Sequence, residues 1–249
     1  MENSRRKTKP FFVAIEGLDG SGKFTTSNAL KDFLNSKGFK ATIVSFPMYE
    51  KWHSFLVRWH LAGKFGKNAA TTNPYISSLC YTVDRFFAWH FGLKKKLREY
   101  DFVIFDRYVT SNMVYQSVKA KNPKQRRRII NFNKILEYDI LGLPRPSLVI
   151  GLTTSLERSL ANVISRKRTS DIYETDVDFL AKTRNSFMRL ANEEHWFKVE
   201  TTLSNGEMLP VEYIVNKIAT RVIELKLSFD ALEDISHILL DKIEDKMEG

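Results

Sequence analysis

Five short apolar runs punctuate the chain: Phe11 to Ile15, Ala41 to Phe46, Phe102 to Phe105, Leu148 to Leu152 and Trp196 to Thr201. The first is unbroken, as in a strand covered on both faces. Pro47 stops the second. Between the runs the apolar residues fall at helical spacing. A first helix should end near Lys37, before Gly38, and a second should span Trp52 to Ala62. A long one should run from Asn73-Pro74 to about Leu97, with proline in its first turn. Helices should follow to Gly142, broken near Asn122-Pro123, then from about Ser155, from Tyr173 to Glu194, and from Pro210 to Leu225. Strands that alternate with helices predict an α/β fold whose parallel sheet is covered on both faces. Ligands then belong at the carboxyl ends of the strands.

The 249 residues suit one α/β domain, or one domain with an appendage. Cys80 is the single cysteine, so no intrachain disulfide exists, which fits a reducing compartment. It lies in an apolar stretch and reads as a small buried hydrophobe. No run reaches membrane-spanning length, and the basic stretch from Met1 to Lys9 precedes an apolar run too short for a signal peptide. Residues 1–10 read as a disordered basic leader, and a cytoplasmic location follows. The net charge of +10 suits a polyanionic ligand, nucleotide or nucleic acid. Lys94-Lys95-Lys96 and Arg126-Arg127-Arg128 read as solvated faces, and Arg166-Lys167-Arg168 is kept for the site. The five histidines show no metal-ligand spacing with cysteine.

Chemistry concentrates first at Gly17-Leu18-Asp19-Gly20-Ser21-Gly22-Lys23-Phe24-Thr25, between the first strand and the first helix. Gly-x4-Gly-Lys in that setting is the phosphate-binding loop pattern. Its glycines let backbone N–H groups converge on a phosphate oxygen, and the following helix adds the positive end of its dipole. Lys23 can reach the outer phosphates of a nucleoside triphosphate. The residue after the lysine, ordinarily a hydroxyl side chain for Mg²⁺, is Phe24, with Thr25 next. Asp106 and Arg107, at the end of the third strand, should stand beside this loop, the acid to hold hydrated Mg²⁺ and the guanidinium to grip a phosphate. Tyr81, Asp84 and Arg85 share a helix face, where an aromatic can stack a base and an arginine can donate to its edge.

Phosphate loop, Phe46-Pro47, Tyr81-x-x-Asp84-Arg85 and Asp106-Arg107-Tyr108-x-x-Ser111-x-x-x-x-Gln116 occur in that order. As a set they resemble the thymidylate kinases, over about residues 11–224. The resemblance is nearest to a bacterial subgroup that tolerates a residue other than serine or threonine after the loop lysine. It implies a three-layer α/β/α P-loop NTPase fold with a five-stranded parallel sheet, here with a C-terminal helical extension. It implies ATP- and Mg²⁺-dependent phosphorylation of dTMP to dTDP by a homodimer, with no nucleic acid and no membrane as partners. Among the residues, Gly17, Gly20, Ser21, Gly22, Lys23, Phe24 and Thr25 fall at the ATP phosphates. Asp19 falls at the sugar 3′-hydroxyl, Tyr81 where a phenylalanine stacks on thymine, and Arg85 at thymine O4. Arg107 falls at the dTMP phosphate, and Phe46, Ser111 and Gln116 at the base pocket. Thr25 and Asp106 are the Mg²⁺ candidates, through water. Lys23, Asp106 and Arg107 make the catalytic set, completed by Arg166 or Arg168 from a mobile lid near residues 165–172. Gly20 resembles the class without a loop arginine.

The chain departs from that pattern at Phe24, at Met48 where a phosphate-binding arginine stands, and at Ser147 and Thr153 where aspartates stand. Lys51 is the candidate substitute for the missing arginine, without its bidentate reach. Two other readings stay open: a nucleotide or deoxynucleoside kinase of shifted base preference, since Tyr81 replaces phenylalanine, and a non-catalytic nucleotide-binding protein. Residues 226–249, with Leu232, Ile235, Leu239, Ile243 and Met247 at helical spacing, form a helix that packs either on the domain or on a partner subunit.

Overall fold

The computed structural model describes residues 9–66, 68, 70–165 and 177–247. Five parallel strands form one sheet in the order β2-β3-β1-β4-β5. They are β1 (Phe11–Gly17), β2 (Ala41–Ser45), β3 (Phe102–Asp106), β4 (Leu148–Thr153) and β5 (Phe197–Glu200). The helices between them are α1 (Lys23–Ser36), α2 (Phe55–Leu61), α3 (Pro74–Ala88), α4 (Lys94–Lys96), α5 (Val109–Ser117), α6 (Pro123–Lys134), α7 (Leu156–Ser165), α8 (Val177–Glu193) and α9 (Val211–Met247).

The period-2 alternation of the strands divides the core between two faces. Ala14, Val103 and Phe105 point one way and pack with Met113 and Val114 of α5, Ile130 of α6, and Phe187 and Leu190 of α8. Val13, Ile15, Phe102 and Ile104 point the other way, against Leu30 and Leu34 of α1 and Ile214, Ile218 and Val222 of α9. The register puts Asp106 opposite both Ile15 and Ser45, and Leu152 opposite Gly17. The carboxyl ends of β1 to β4 therefore reach one edge together, where the predicted motifs lie.

Two stretches differ from the periodic reading. The predicted helix from Asn73 to about Leu97 is α3 followed by a π-helical turn, Trp89–Leu93, and then α4. The wider turn brings Trp89 into the core, edge-on to Phe12 at 6.1 Å. A second π-helical turn, Ile135–Ile140, follows α6. The last helix does not end near Leu225: α9 runs for 37 residues in all, from Val211 to Met247. Its turns after Leu225 begin on the domain's own surface. Phe229 meets Phe11 edge-on at 6.3 Å, and the buried Lys226 donates to the Lys9 carbonyl at 3.1 Å and to Asp230 Oδ1 at 2.7 Å.

Candidate active site

The loop between β1 and α1 turns on Gly20 (φ 81°) and Gly22 (φ 87°), a region that favours glycine. At Gly20 a Cβ would collide with the Ser159 carbonyl and come within 3.1 Å of Asn162 Cβ, so α7 leaves no space for a side chain there. This supplies a physical reason for the absence of a loop arginine. The same helix holds the loop by its carbonyls: Ser159 Oγ donates to Asp19 O, and Asn162 Nδ2 to Gly20 O at 2.8 Å. Gly22 caps α1 without a side-chain acceptor, so the cap residue itself does not occupy the first-turn amides.

Lys23 is buried and folds back on its own loop, donating to the carbonyls of Gly17 (2.9 Å) and Leu18 (2.7 Å). Burial first, and Arg107 second, lower its pKa to about 8, against the opposing pull of Asp19, Asp106 and Glu16. Arg107 follows β3 at φ 65°, with its amide bound to Ile15 O at 3.2 Å. Its Nη2 donates to Asp19 Oδ1, while Tyr115 donates to Asp19 Oδ2 at 3.0 Å. Burial lowers the Arg107 pKa, but Asp19 above all, then Tyr115, Asp106 and Glu16, hold it well above its ordinary value. Arg107 therefore stays a cation at any working pH. Its partner is Asp19 across the loop rather than its sequence neighbour Asp106. No described residue donates a hydrogen bond to the Asp106 carboxylate.

One cleft of about 690 Å³ gathers Asp19, Gly20, Gly22, Lys23, Phe24, Thr25, Phe46, Tyr81, Arg85, Asp106, Arg107, Ser111 and Gln116. Gly17 and Ser21 support the loop from behind: a Cβ on Gly17 would sit 2.5 Å from Ser21 Oγ. Phe24 lies at the cleft with 67% of its surface exposed, outside the core. Arg166 and Arg168, and the lid assigned to residues 165–172 apart from Ser165, lie outside the described residues. Lys51 is exposed, and its carbonyl, with that of Tyr49, accepts from Arg58 Nη1 at 3.1 and 2.6 Å. Met48 contributes its amide, which donates to Asp84 Oδ2 at 2.9 Å. The buried Asp84 also accepts from Ser54 Oγ and meets His53 Nδ1 at 2.7 Å, and so fixes the segment after Phe46-Pro47. The Phe46-Pro47 bond is cis.

Arg85 is almost fully buried, paired with Glu137 through Nε (2.6 Å) and Nη2 (2.7 Å). Nη1 has no partner among the described residues. Gln116 is 1% exposed, and its Oε1 is buried without a hydrogen-bond partner among the described residues. Ser111 lines the cleft, but its hydroxyl is taken by Glu16 Oε2 at 2.6 Å. Glu16 also accepts from Tyr108 N (3.0 Å) and Thr110 Oγ1 (2.5 Å), which ties the start of α5 to β1.

Sequence reasoning missed four of these groups. Asn112 and Tyr115 line the cleft from positions inside the motif that supplied Ser111 and Gln116. They lie one residue after Ser111 and one before Gln116, on the adjoining face of α5. Glu16 and Glu137 are carboxylates set in apolar runs, Ala14-Ile15-Glu16 and Ile135-Leu136-Glu137-Tyr138, and that incongruity was the available signal.

A family model described as thymidylate kinase matches residues 15–209. The chain belongs to the thymidylate kinase family. Among its relatives are the thymidylate kinase of Mycobacterium tuberculosis, 29% identical over 207 residues, covering 79% of this chain and 94% of that one. A probable thymidylate kinase of Methanocaldococcus jannaschii is 30% identical over 207 residues, covering 82% and 93%. Probable thymidylate kinase 1 of Saccharolobus solfataricus is 28% identical over 197 residues, covering 79% and 92%. The chain is therefore a nucleoside monophosphate kinase, a phosphotransferase, and the reaction of its family is phosphorylation of dTMP.

Proposed function

We propose that this cleft transfers the γ-phosphoryl group of ATP to dTMP with the residues assigned as follows. The loop amides and Lys23 take the triphosphate. Arg107 takes the dTMP phosphate, and Asp19, shared between Arg107 and Tyr115, faces the sugar. Phe46, Tyr81, Arg85, Ser111 and Gln116 enclose the base. The observation that carries this reading is the convergence, in one cleft, of a phosphate loop, a permanently charged Arg107, and a base-side arginine whose Nη1 N–H groups have no partner among the described residues. Thymine O4 accepts such an N–H, whereas the exocyclic amine of cytosine cannot.

Phosphoryl transfer asks the protein for alignment and positive charge rather than covalent chemistry. Lys23 leaves the carbonyls of Gly17 and Leu18 when phosphate oxygens replace them. Arg107 fixes the acceptor phosphate across the cleft from the loop. Arg166 or Arg168 adds charge from the segment after α7 and helps exclude water. Mg²⁺ fits the donors present: the Asp106 carboxylate accepts no hydrogen bond from the described residues, the exposed Thr25 lines the same cleft, and both offer hard oxygen. Phe24 withholds the direct ligand, so Asp106 and Thr25 would hold the ion through its waters. When bound, the ion neutralises charge on the transferring phosphates.

The reading includes a cytoplasmic homodimer. No described helix is long and apolar enough to cross a membrane. α3 and the turn after it expose Ile76, Leu79 and Phe91, beside a chain of ring contacts from Trp52 to Phe87 to Phe91. Exposed apolar side chains along one element suit a second copy. A coupled ADP-release assay over a panel of monophosphates tests the function: turnover should be fastest with dTMP, require Mg²⁺ and vanish in Lys23→Ala. Faster turnover of dCMP, dUMP or a nucleoside would refute it.

A further inference from the structure

We propose that Glu137 sets the base preference of the pocket by fixing the polarity of both cleft-facing groups that meet the pyrimidine edge. This rests on the thymidylate reading of the cleft. Glu137 touches no cleft surface itself; it is fully buried on the π-helical turn behind the pocket. Four donors converge on its carboxylate. Arg85 Nε gives to Oε2 at 2.6 Å and Arg85 Nη2 to Oε1 at 2.7 Å. Thr82 Oγ1 and Asn112 Nδ2 give to Oε1 at 2.9 and 3.3 Å.

The consequence follows from what each partner has left. Arg85 spends two nitrogens on Glu137 and keeps Nη1, a donor. Asn112 turns its amide nitrogen toward two acceptors, Glu137 Oε1 and the Ser78 carbonyl at 3.2 Å. Its remaining atom is Oδ1, an acceptor, with no partner among the described residues. Arg85 and Asn112 both line the cleft. The protein thus shows a donor and an acceptor side by side. Thymine offers the complement, O4 to accept and N3–H to donate. Cytosine offers the reverse, an amine to donate and N3 to accept, and mismatches both. Glu137 therefore fixes Arg85 and shares with the Ser78 carbonyl the orientation of Asn112, from its place on the π-helical turn. Glu137 is a positioning residue; Arg85 and Asn112 make the contact.

Glu137→Gln is nearly isosteric but replaces one acceptor oxygen with an NH₂ group that faces donors. Asn112 then keeps only the Ser78 carbonyl as acceptor, and an amide turned from that single hold presents its NH₂ to the cleft, which suits cytosine N3. Uracil shares thymine's edge and differs only by the methyl group, so it serves as an internal control. The kcat/KM ratio of dTMP to dCMP should fall about 10- to 100-fold, while that of dTMP to dUMP stays within about twofold. Mere structural damage lowers all three rates in proportion and moves neither ratio. The glutamine strands a buried guanidinium, so Glu137→Asp, which keeps the charge but draws it back, is measured alongside and should shift the dTMP to dCMP ratio in the same direction by less. A soluble variant of either kind that keeps the wild-type dTMP to dCMP ratio within about twofold overturns the role of Glu137. Wild-type protein that shows no preference for dTMP over dCMP overturns the thymidylate reading itself, and this role with it.

Discussion

Lys23 carries its charge where the surroundings penalise it. With its pKa near 8, free protein loses that proton as pH rises through about 8. A neutral amine holds a triphosphate poorly, so kcat/KM for ATP should fall about tenfold per pH unit above that point. Saturating ATP surrounds the lysine with phosphate and raises its pKa, so kcat should hold to higher pH. A pH profile of both constants checks this, and a flat kcat/KM from pH 7 to 10 contradicts it. For stability the sign is opposite: the unfolded lysine titrates near 10.5, so between about pH 8 and 10.5 the unfolded state binds more protons and this group adds stability as pH rises. Phe24 is mostly exposed, so Phe24→Thr should leave thermal stability within about 0.5 kcal/mol. It restores a hydroxyl beside the lysine and should lower the Mg²⁺ concentration for half-maximal activity. An unchanged Mg²⁺ titration would show that the ion does not approach that position.

Among the elements, α7 and the phosphate loop behave as one unit. Gly20→Ala forces a side chain against the Ser159 carbonyl in a backbone region alanine avoids. It should cost about 1–3 kcal/mol of stability and raise the ATP KM about tenfold or more. Calorimetry with steady-state kinetics checks both, and wild-type values would mean that α7 yields freely. The strand-loop-helix of residues 11–36 was legible in the sequence because each signal was local: an apolar run, fixed glycine spacing, a helical period. The π-helical turns were not, since one extra residue barely disturbs a 3.6 period read over a dozen positions. That omission hid Glu137. The pairing of Arg107 with Asp19 was equally hidden, because it depends on strands β1 and β3 being neighbours, which alternation alone does not fix.

Over the whole molecule, the parallel sheet and its two covered faces followed from alternation, and the common edge of β1 to β4 followed from the sheet. What spacing could not supply was the contents of the interior. His60 is fully buried, and burial first, then Lys119, lower its pKa to about 4. Unfolded, it titrates near 6.5, so between about pH 6.5 and 4 the unfolded state binds more protons and stability falls as pH falls. This one group should remove about 3 kcal/mol across that window. Denaturant unfolding at pH 7 and 4.5, with His60→Gln for comparison, checks it; an equal loss in both proteins contradicts it. If a phosphate loop and an arginine pair hold two nucleotides in one cleft, a crystal grown with dTMP and a non-hydrolysable ATP analogue will show both in place. The dTMP phosphate should lie on Arg107 and thymine O4 on Arg85 Nη1, with Lys23 on the triphosphate and no longer on the carbonyls of Gly17 and Leu18. A cleft without nucleotide, with Lys23 still on those carbonyls or the Phe24 ring in the phosphate position, would contradict it.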